Sequence, residues 1–421
     1  MVQAFSLFPG VTLRCYRDDR FKQGCLSVQF VRPMKRQEAA KNALLPAVLL
    51  RGTKDYPDLR AITQKLDDLY GASVSALVRR VGDYQTTGLF CAFMEDRFAL
   101  EGDQILAPMV QFVKKLLLEP VLEDGGFCKE YVESEKRNLI LTLEAERNDK
   151  RSYAASQLLR TMCSADTFGI PRLGEKEQVA RIDHKNLYDH YKKLLSESMV
   201  ELFYVGSARP EQVSALMKGI FGGFERDCSG MRIQTPFRDG GGSHARERME
   251  VTQGKLCMGF TTPITNQSPQ FAAMQVFNAV FGAGMTSKLF MNVRERLSLC
   301  YSIGSGYYST KGILTVSAGI DTAKEEVVRQ EIIIQLRKCV RGRITGAELN
   351  AAKEAILSSL RSVHDSPGAI EGYYSTAALS GLAMTPAKYM AAVEAVTVEQ
   401  VAAAAKTVKL HSSFFLEGVS Q

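Results

Sequence analysis

The chain has 421 residues, of which 45% are hydrophobic and 24% are charged, and its formal net charge is +7. This composition is typical of a folded globular protein, and the length favours two or more domains because single hydrophobic cores seldom exceed about 250–300 residues. Lysine and arginine are interspersed with acidic residues instead of forming basic blocks, so we expect no nucleic-acid partner.

The sequence predicts a cytoplasmic protein with no membrane association. Its first ten residues, MVQAFSLFPG, lack the basic start and long apolar middle of a signal peptide, and no run reaches the roughly 18–20 apolar residues that span a bilayer. The nine cysteines are widely scattered, with no Cys-x-x-Cys spacing. This pattern favours reduced, mostly buried thiols over a disulfide framework or a thiolate zinc site.

The first half begins with two predicted strands, VTLRCY at 11–16 and CLSVQFV at 25–31, followed by a buried helix in NALLPAVLL at 42–50. The next helix carries apolar residues at helical spacing and ends at Gly71, a good C-terminal cap. The other elements predicted in this half are strands at 72–80 and 83–93 and helices at 105–116 and 127–150.

A segment at 225–250 separates the two halves. It contains three consecutive glycines and few apolar residues, which is typical of an exposed linker. The predicted organisation is an N-terminal domain at 1–225, a linker at 226–248 and a C-terminal domain at 249–421.

The second half repeats the element order of the first, which indicates an internal duplication. Thr345 and Glu348 form a capping-box pattern at the start of one of its helices. The predicted fold class is α+β, with antiparallel sheets packed against helices. The predicted elements are strands at 255–263, 300–309 and 312–320 and helices at 268–282, 286–297, 323–340 and from 345.

Histidine positions argue against a histidine metal site. The five histidines are His184, His190, His244, His364 and His411. His184 and His190 are six residues apart, which places them about 240° apart around a helix, and the others are isolated. The sequence also lacks a Gly-x-Ser-x-Gly elbow, a Walker loop and a dinucleotide fingerprint, so we expect neither a metal nor a cofactor.

About 40 residues of the second half carry a specific pattern of glycines, helix and strand. Its members are Gly282, Ala283, Gly284, Met285, Ser287, Leu289, Phe290, Arg294, Glu295, Leu299 and Tyr301. This pattern resembles the C-terminal domain of the pitrilysin/insulinase family of zinc peptidases, which includes mitochondrial processing peptidase. The resemblance implies two mitochondrial-processing-peptidase-type domains in a clamshell arrangement, and with the duplication it covers almost the whole chain.

Active members of that family carry a His-x-x-Glu-His motif on a first-half helix, a few residues before a Gly-Thr pair. The histidines hold zinc, and the glutamate is the general base. Alignment on Gly52-Thr53 places Ala43, Pro46 and Ala47 at the three positions. The resemblance therefore implies a degenerate zinc site, and a chain that is not itself an enzyme. It also implies that the helix carrying this site is shortened or kinked by the proline.

A third zinc ligand in this family is a glutamate on a later helix. Glu135 and Glu144 lie in the corresponding region, and the sequence assigns neither of them. A lone carboxylate does not hold zinc at a useful affinity.

Active members also use an arginine and a tyrosine, seven residues apart, to hydrogen-bond the substrate backbone. Arg294 and Tyr301 have this spacing and are the predicted substrate-binding residues, although an inherited structural pair is an equal alternative. The glycine loop, Gly282 to Gly284, is either a mobile substrate-guiding segment or a tight turn that caps a helix, and we favour the turn.

The resemblance implies a non-catalytic subunit that pairs with a zinc-bearing homologue as a heterodimer, binds and encloses a polypeptide, and supports the peptidase activity of that partner. The alternatives are a structural or assembly subunit, for example a homodimer, a peptide-binding module with no peptidase partner, and an enzyme that uses another site. The segments LEDGGFCKEYVESEKRNLI and NDKRSYA also resemble a degenerate subfamily of Firmicutes whose label links it to elongation factor P modification. That label names no reaction.

Overall fold

The structure is a computed structural model that describes residues 2–222, 225–229, 231 and 236–418. The chain divides into two compact units. The first unit comprises Met1–Glu144, Ile170–Gln234 and His364–Thr376, and the second comprises Ala145–Gly169, Thr235–Val363 and Ala377–Gln421. Each unit therefore contains a short segment from the opposite half of the sequence.

The predicted linker at 226–248 is described only in part, because residues 230 and 232–235 lie outside the described residues. A strand begins within it at His244. The domain boundaries at 225 and 248 stay a prediction.

The elements follow the predicted order in both halves, and the capping box of Thr345 and Glu348 is confirmed. The strands are β1 (Val2–Phe8), β2 (Val11–Arg17), β3 (Gln23–Pro33), β4 (Ser73–Val81), β5 (Tyr84–Met94), β6 (Leu122–Glu123), β7 (Gly126–Phe127), β8 (Met199–Gly206), β9 (His244–Met249), β10 (Gly254–Thr261), β11 (Cys300–Tyr308), β12 (Ile313–Ile320) and β13 (Lys409–Gly418). The α-helices are α1 (Arg36–Leu49), α2 (Leu59–Asp68), α3 (Leu106–Leu118), α4 (Lys129–Asn148), α5 (Lys150–Met162), α6 (Lys176–Ala180), α7 (His184–Glu197), α8 (Pro210–Phe221), α9 (Phe271–Phe281), α10 (Glu325–Val340), α11 (Gly346–Arg361), α12 (Pro367–Ser380), α13 (Pro386–Glu394) and α14 (Val398–Lys406). A π-helix spans Leu289–Arg296.

The two large sheets share one topology. The first unit has the strand order β1-β2-β8-β3-β5-β4, and the second has β9-β13-β10-β12-β11. Apart from β1, the two orders correspond strand for strand, and each sheet has one parallel pair, β2 with β8 or β9 with β13. The α+β class and the packing of sheets against helices are confirmed, and the matching order supports the duplication.

Side-chain alternation along β3 decides how the first sheet is covered. Leu26, Val28 and Phe30 point to one face, where they pack with apolar residues of α1, α3, α7 and α8 in the main hydrophobic core. The intervening residues of β3 point to the opposite face, where Cys25 packs with Ile370 at the start of α12.

A buried carboxylate holds α12 on this second face. The Glu371 side chain is fully buried and accepts hydrogen bonds from Ser27 Oγ at 2.7 Å and from Gln29 Nε2 at 3.1 Å. Arg79 donates to both carboxylate oxygens, at 3.0 and 2.8 Å. Such bidentate pairing compensates the loss of water around a buried charge.

In the second unit α5 occupies the equivalent place on the sheet. Ala154 and Leu158 pack with Cys257 of β10 and Phe414 of β13. Gly259 permits this approach, because a Cβ atom there would lie 2.5 Å from the Met162 sulfur. Helix α5 in the second unit thus corresponds to α12 in the first.

Among the described residues, no helix combines the length and the apolar character that a membrane span requires.

Lys311 and Asp166 form an ion pair inside the second unit. Both side chains are fully buried, and Lys311 Nζ lies 3.1 Å from the carboxylate. The same carboxylate accepts hydrogen bonds from the backbone N–H groups of Phe168 and Arg238, both at 2.8 Å. The pair therefore joins the turn between β11 and β12 to two other segments of the unit.

We expect Lys311→Met to lower the free energy of unfolding by about 3–5 kcal/mol, because Asp166 would be left as a buried charge without its cation. Urea denaturation followed by circular dichroism measures this change. The control is Arg361→Met, which breaks an exposed pair with Glu354 and should cost less than about 1 kcal/mol. Equal losses in the two variants would show that the buried pair has no special role.

Candidate functional site

Helix α1 is the element that would carry the zinc motif, and its three motif positions offer no metal ligand. Ala43 is 8% exposed, Pro46 is buried and Ala47 is partly buried. Helix α1 continues for three residues beyond Pro46, so the proline does not end it, and the expectation of a helix shortened or kinked relative to active relatives stays a prediction.

A threonine from the neighbouring strand explains how the helix tolerates this proline. Proline has no N–H group, so the carbonyl oxygen of Asn42, four residues earlier, loses its helical donor. Thr87 of β5 donates its hydroxyl to that oxygen at 2.6 Å. The polar group is therefore satisfied by the sheet instead of by the helix.

A buried polar network lies beside the former motif. Asn42 Nδ2 donates to Gln85 Oε1 at 2.9 Å, and Asn42 Oδ1 lies 2.7 Å from His190 Nε2. Gln85 Nε2 in turn donates to the backbone oxygens of Ala39 and Arg172. The network links α1, β5 and α7. Asn42, Gln85 and His190 therefore have a structural role that the sequence did not predict.

His190 belongs to this network and is neutral at physiological pH. Burial is the largest cause that lowers its pKa, to about 4, and the cations Arg32, Lys41 and Lys193 act in the same direction, whereas Glu38 raises it. Since Asn42 Oδ1 accepts a hydrogen bond, His190 carries its proton on Nε2.

Glu135 and Glu144, which lie in the region of the family's third zinc ligand, form ion pairs with basic side chains. Arg51, just after the end of α1, donates to Glu135 at 3.2 Å, and its guanidinium also lies over the ring of Tyr131. Glu144 pairs with Lys176.

These donors do not fit zinc. Two alanines replace the histidines, and a guanidinium already neutralises the Glu135 carboxylate. Across the described ranges, no group of three or more His, Cys, Asp or Glu side chains has an arrangement that could hold a metal ion.

Arg294 and Tyr301 lie together in the second unit. Arg294 Nε donates to the backbone oxygen of Tyr301 at 3.0 Å, and Arg294 Nη1 lies 3.3 Å from Glu295. The guanidinium packs 4.6 Å from the centre of the Phe290 ring. Tyr301 is 61% exposed at the start of β11, so its side chain is accessible to a ligand. Their predicted substrate contacts stay a prediction.

The glycine loop has a local structural reason at two positions. A Cβ atom at Gly282 would lie 2.6 Å from Ser305 Oγ and 2.8 Å from a Leu289 methyl group. The Gly282 N–H also donates to the Asn278 oxygen at the end of α9, and Gly284 has φ = +121°, which disfavours other residues. Close packing and a turn therefore account for these glycines without a mobile segment.

Comparison with known proteins shows what this chain is similar to. Residues 181–356 match the Peptidase M16 inactive domain. The probable inactive metalloprotease YmfF of Bacillus subtilis is 29% identical over 418 residues, which is 97% of this chain and 96% of that protein. The crystal structure of a conserved protein from Enterococcus faecalis covers 100% of this chain and 99% of its own, with 28% identity and a TM-score of 0.92.

A second relative from Bacillus subtilis is an uncharacterized zinc protease, YmxG. It is 26% identical over 197 residues, which is 46% of this chain and 47% of that protein. The names of these relatives say nothing of elongation factor P, and that association stays a prediction.

We expect Thr87→Val to destabilise the first unit by about 1–3 kcal/mol, because it leaves the buried Asn42 oxygen without a donor. Thermal or urea unfolding measures the loss. Thr86→Val is the matched control: Thr86 Oγ1 is buried without a hydrogen-bond partner in the described structure, so its removal should be neutral or stabilising. If both variants unfold alike, Thr87 does not compensate for Pro46.

We expect the stability of the protein to fall as the pH drops from about 6.5 to about 4, because the unfolded state protonates His190 more readily than the folded state. Above pH 6.5 His190 is neutral in both states and does not lower the free energy of unfolding. Near pH 4 the free energy of unfolding is lower by roughly 3 kcal/mol. Urea unfolding of wild type and His190→Gln between pH 7 and pH 4 measures it. The difference between the two should shrink at low pH, and His184→Gln on the same helix should follow wild type. Parallel curves for wild type and His190→Gln would contradict the assignment.

Proposed function

Since the chain is a catalytically inactive homologue of the M16 metallopeptidases, we propose that it is the non-catalytic subunit that pairs with a zinc-bearing homologue to bind and enclose a polypeptide. The observation that carries the proposal is a selective loss. Alanine and proline stand at the expected positions of the zinc motif, Ala43, Pro46 and Ala47, whereas Arg294 and Tyr301 have the spacing of the family's substrate-binding pair.

The geometry of the retained pair supports ligand binding. Tyr301 would make its packing contacts in the core if it served only the fold, but 61% of it is exposed. Arg294 has only its own neighbour Glu295 as an acidic partner among the described contacts, and its side chain is 40% exposed. A guanidinium and a phenol are suitable donors to peptide carbonyl oxygens.

The position of Tyr301 on β11 also suits an extended polypeptide. Within the described residues β11 lies at the end of its sheet, so one side of the strand presents backbone N–H and C=O groups without a neighbouring strand. An extended segment added there would pair with these groups and lie next to Tyr301. Backbone pairing requires little side-chain specificity, which suits a subunit that handles varied polypeptides.

The pairing with an active homologue is supported by the relatives. One organism, Bacillus subtilis, encodes both a probable inactive metalloprotease and an uncharacterized zinc protease that are similar to this chain. The presence of both kinds of protein in one organism suits a heterodimer in which one chain binds the metal and the other contacts the substrate. We place this assembly in the cytoplasm.

The first test is a native pull-down of this chain from its own cell extract, with mass spectrometry of proteins recovered at equal stoichiometry. We expect a homologue that carries His-x-x-Glu-His. Recovery of this chain alone, as a monomer or a homodimer, would contradict the pairing and favour an assembly role.

The second test uses the reconstituted pair and an unfolded polypeptide substrate. We expect Arg294→Ala and Tyr301→Ala to lower the cleavage efficiency of the pair by about tenfold, since each removes a donor to the bound backbone. Arg296→Ala is the matched control, because Arg296 is an exposed arginine on the same π-helix, and its activity should stay within about twofold of wild type. Equal effects at positions 294 and 296 would show that Arg294 has no specific role.

A further inference from the structure

A small recess, partly open to solvent, lies on the sheet of the second unit, beside the first turn of α5. All of its lining residues belong to the second unit. Those that matter for its chemistry are Arg151, Lys255, Cys257, Ser302, Ser317 and Gly319.

Three strands bring polar groups together above Gly319. In the sheet, Lys255 of β10 pairs with Gly319 of β12, and Ser302 of β11 pairs with Gly319 from the other side. A Cβ atom at Gly319 would lie 2.9 Å from Ser302 Oγ, 3.4 Å from Lys255 Nζ and 3.6 Å from Gln253 Oε1. Because Gly319 has no side chain, its backbone forms the floor of the recess. The Ser302 hydroxyl and the Lys255 ammonium group both lie next to this floor.

The charge of the recess is positive. Lys255 Nζ donates to the neutral Gln253 Oε1 at 3.2 Å, and Arg151 adds a second cation from α5. Asp149, the carboxylate whose charge reaches Lys255, is engaged in capping α5 through the N–H groups of Arg151 and Ser152. Arg151 and Lys255 thus line one small recess, and the nearby Asp149 carboxylate accepts hydrogen bonds from the start of α5.

The protonation states agree with this description. Burial is the largest cause that lowers the pKa of Lys255, and repulsion from Arg151 adds to it. Burial raises the pKa of the Cys257 thiol to about 11, so this group is neutral and contributes no negative charge. An anion placed between Arg151 and Lys255 would remove the repulsion between them.

We propose that this recess binds a small oxyanion, a carboxylate or a phosphate group, between Arg151 and Lys255 and above Gly319. A guanidinium donates two parallel hydrogen bonds to such a group, and an ammonium adds a point charge. Ser302 and Ser317 supply hydroxyl donors from β11 and β12. The proposal does not rest on the pairing with a zinc-bearing homologue.

The test measures binding of inorganic phosphate to the full chain by equilibrium dialysis in a low-chloride buffer. We expect saturable binding that Lys255→Met weakens by about tenfold or more, since it removes one of two charges. Gly319→Ala should weaken it similarly by filling the floor, and the backbone there does not require glycine, because Gly319 does not adopt a left-handed φ. Circular dichroism checks that both variants fold.

Lys409→Gln is the matched control, because Lys409 is an exposed lysine in the same sheet that pairs with Thr261, about 20 Å along β10 from Lys255. It should bind phosphate as wild type does. If Lys409→Gln lost as much binding as Lys255→Met, the effect would be one of general charge, and the site would be overturned.

Tetraglycine and its C-terminal amide distinguish the source of the oxyanion. Displacement of phosphate by the free acid and not by the amide would identify a peptide carboxylate as a ligand of the recess. Displacement by neither would assign the site to free phosphate. If wild type binds neither phosphate nor the free acid, or if Lys255→Met and Gly319→Ala bind as wild type does, the proposal is wrong.

Discussion

The first unit depends on one buried carboxylate, Glu371, which lies more than 340 residues from its partners Ser27 and Gln29. Those partners are polar residues on a sheet face that also carries Cys25, so α12 makes both polar and apolar contacts with it. Arg79 provides the compensating charge, since a buried carboxylate without a cation is strongly unfavourable. The placement of α12 on this sheet therefore requires all of these residues together.

The duplication explains why both units contain a sheet that is covered by a helix from the other half of the sequence. Each half of the sequence supplies one sheet, and each sheet is completed by a helix segment from the other half: residues 364–376 in the first unit and 145–169 in the second. The chemistry of the two contacts differs. The first is an ion pair with hydrogen bonds, whereas the second is apolar packing of Leu158 and Met162 over a glycine.

The sequence was sufficient to predict the α+β class and most elements within residues 11–150 and 255–361, because apolar spacing and capping signals are local. The helices α5 and α12, which cover the two sheets, were not predicted. The sequence was also sufficient to locate the lost zinc motif at Ala43, Pro46 and Ala47. The continuation of α1 through Pro46 was not predictable, since it depends on Thr87 of a strand about 40 residues later. The strand that begins at His244, within glycine-rich sequence, forms because β13 is available as a parallel neighbour.

Helix α1, at the predicted position of the zinc motif, makes structural contacts with β5 and α7. His190 serves as a neutral hydrogen-bond donor to Asn42 inside the core. Arg51 provides a positive charge next to Glu135, so this carboxylate is compensated by the protein itself. The residues for which we propose binding roles lie in the second unit, where Tyr301 is exposed and Lys255 and Arg151 line one recess.

The exchange of helix segments has a consequence for how the protein is made. A ribosome delivers the strands of the first sheet early, but residue 376 emerges 142 residues after residue 234, the end of the main part of that unit. At typical rates of synthesis this delay is on the order of 10 s. Throughout that time Ser27, Gln29 and the apolar Cys25 and Phe203 are uncovered on a nascent chain. Folding of the first unit therefore finishes only after residues 364–376 have left the ribosome, and until then one face of its sheet is exposed.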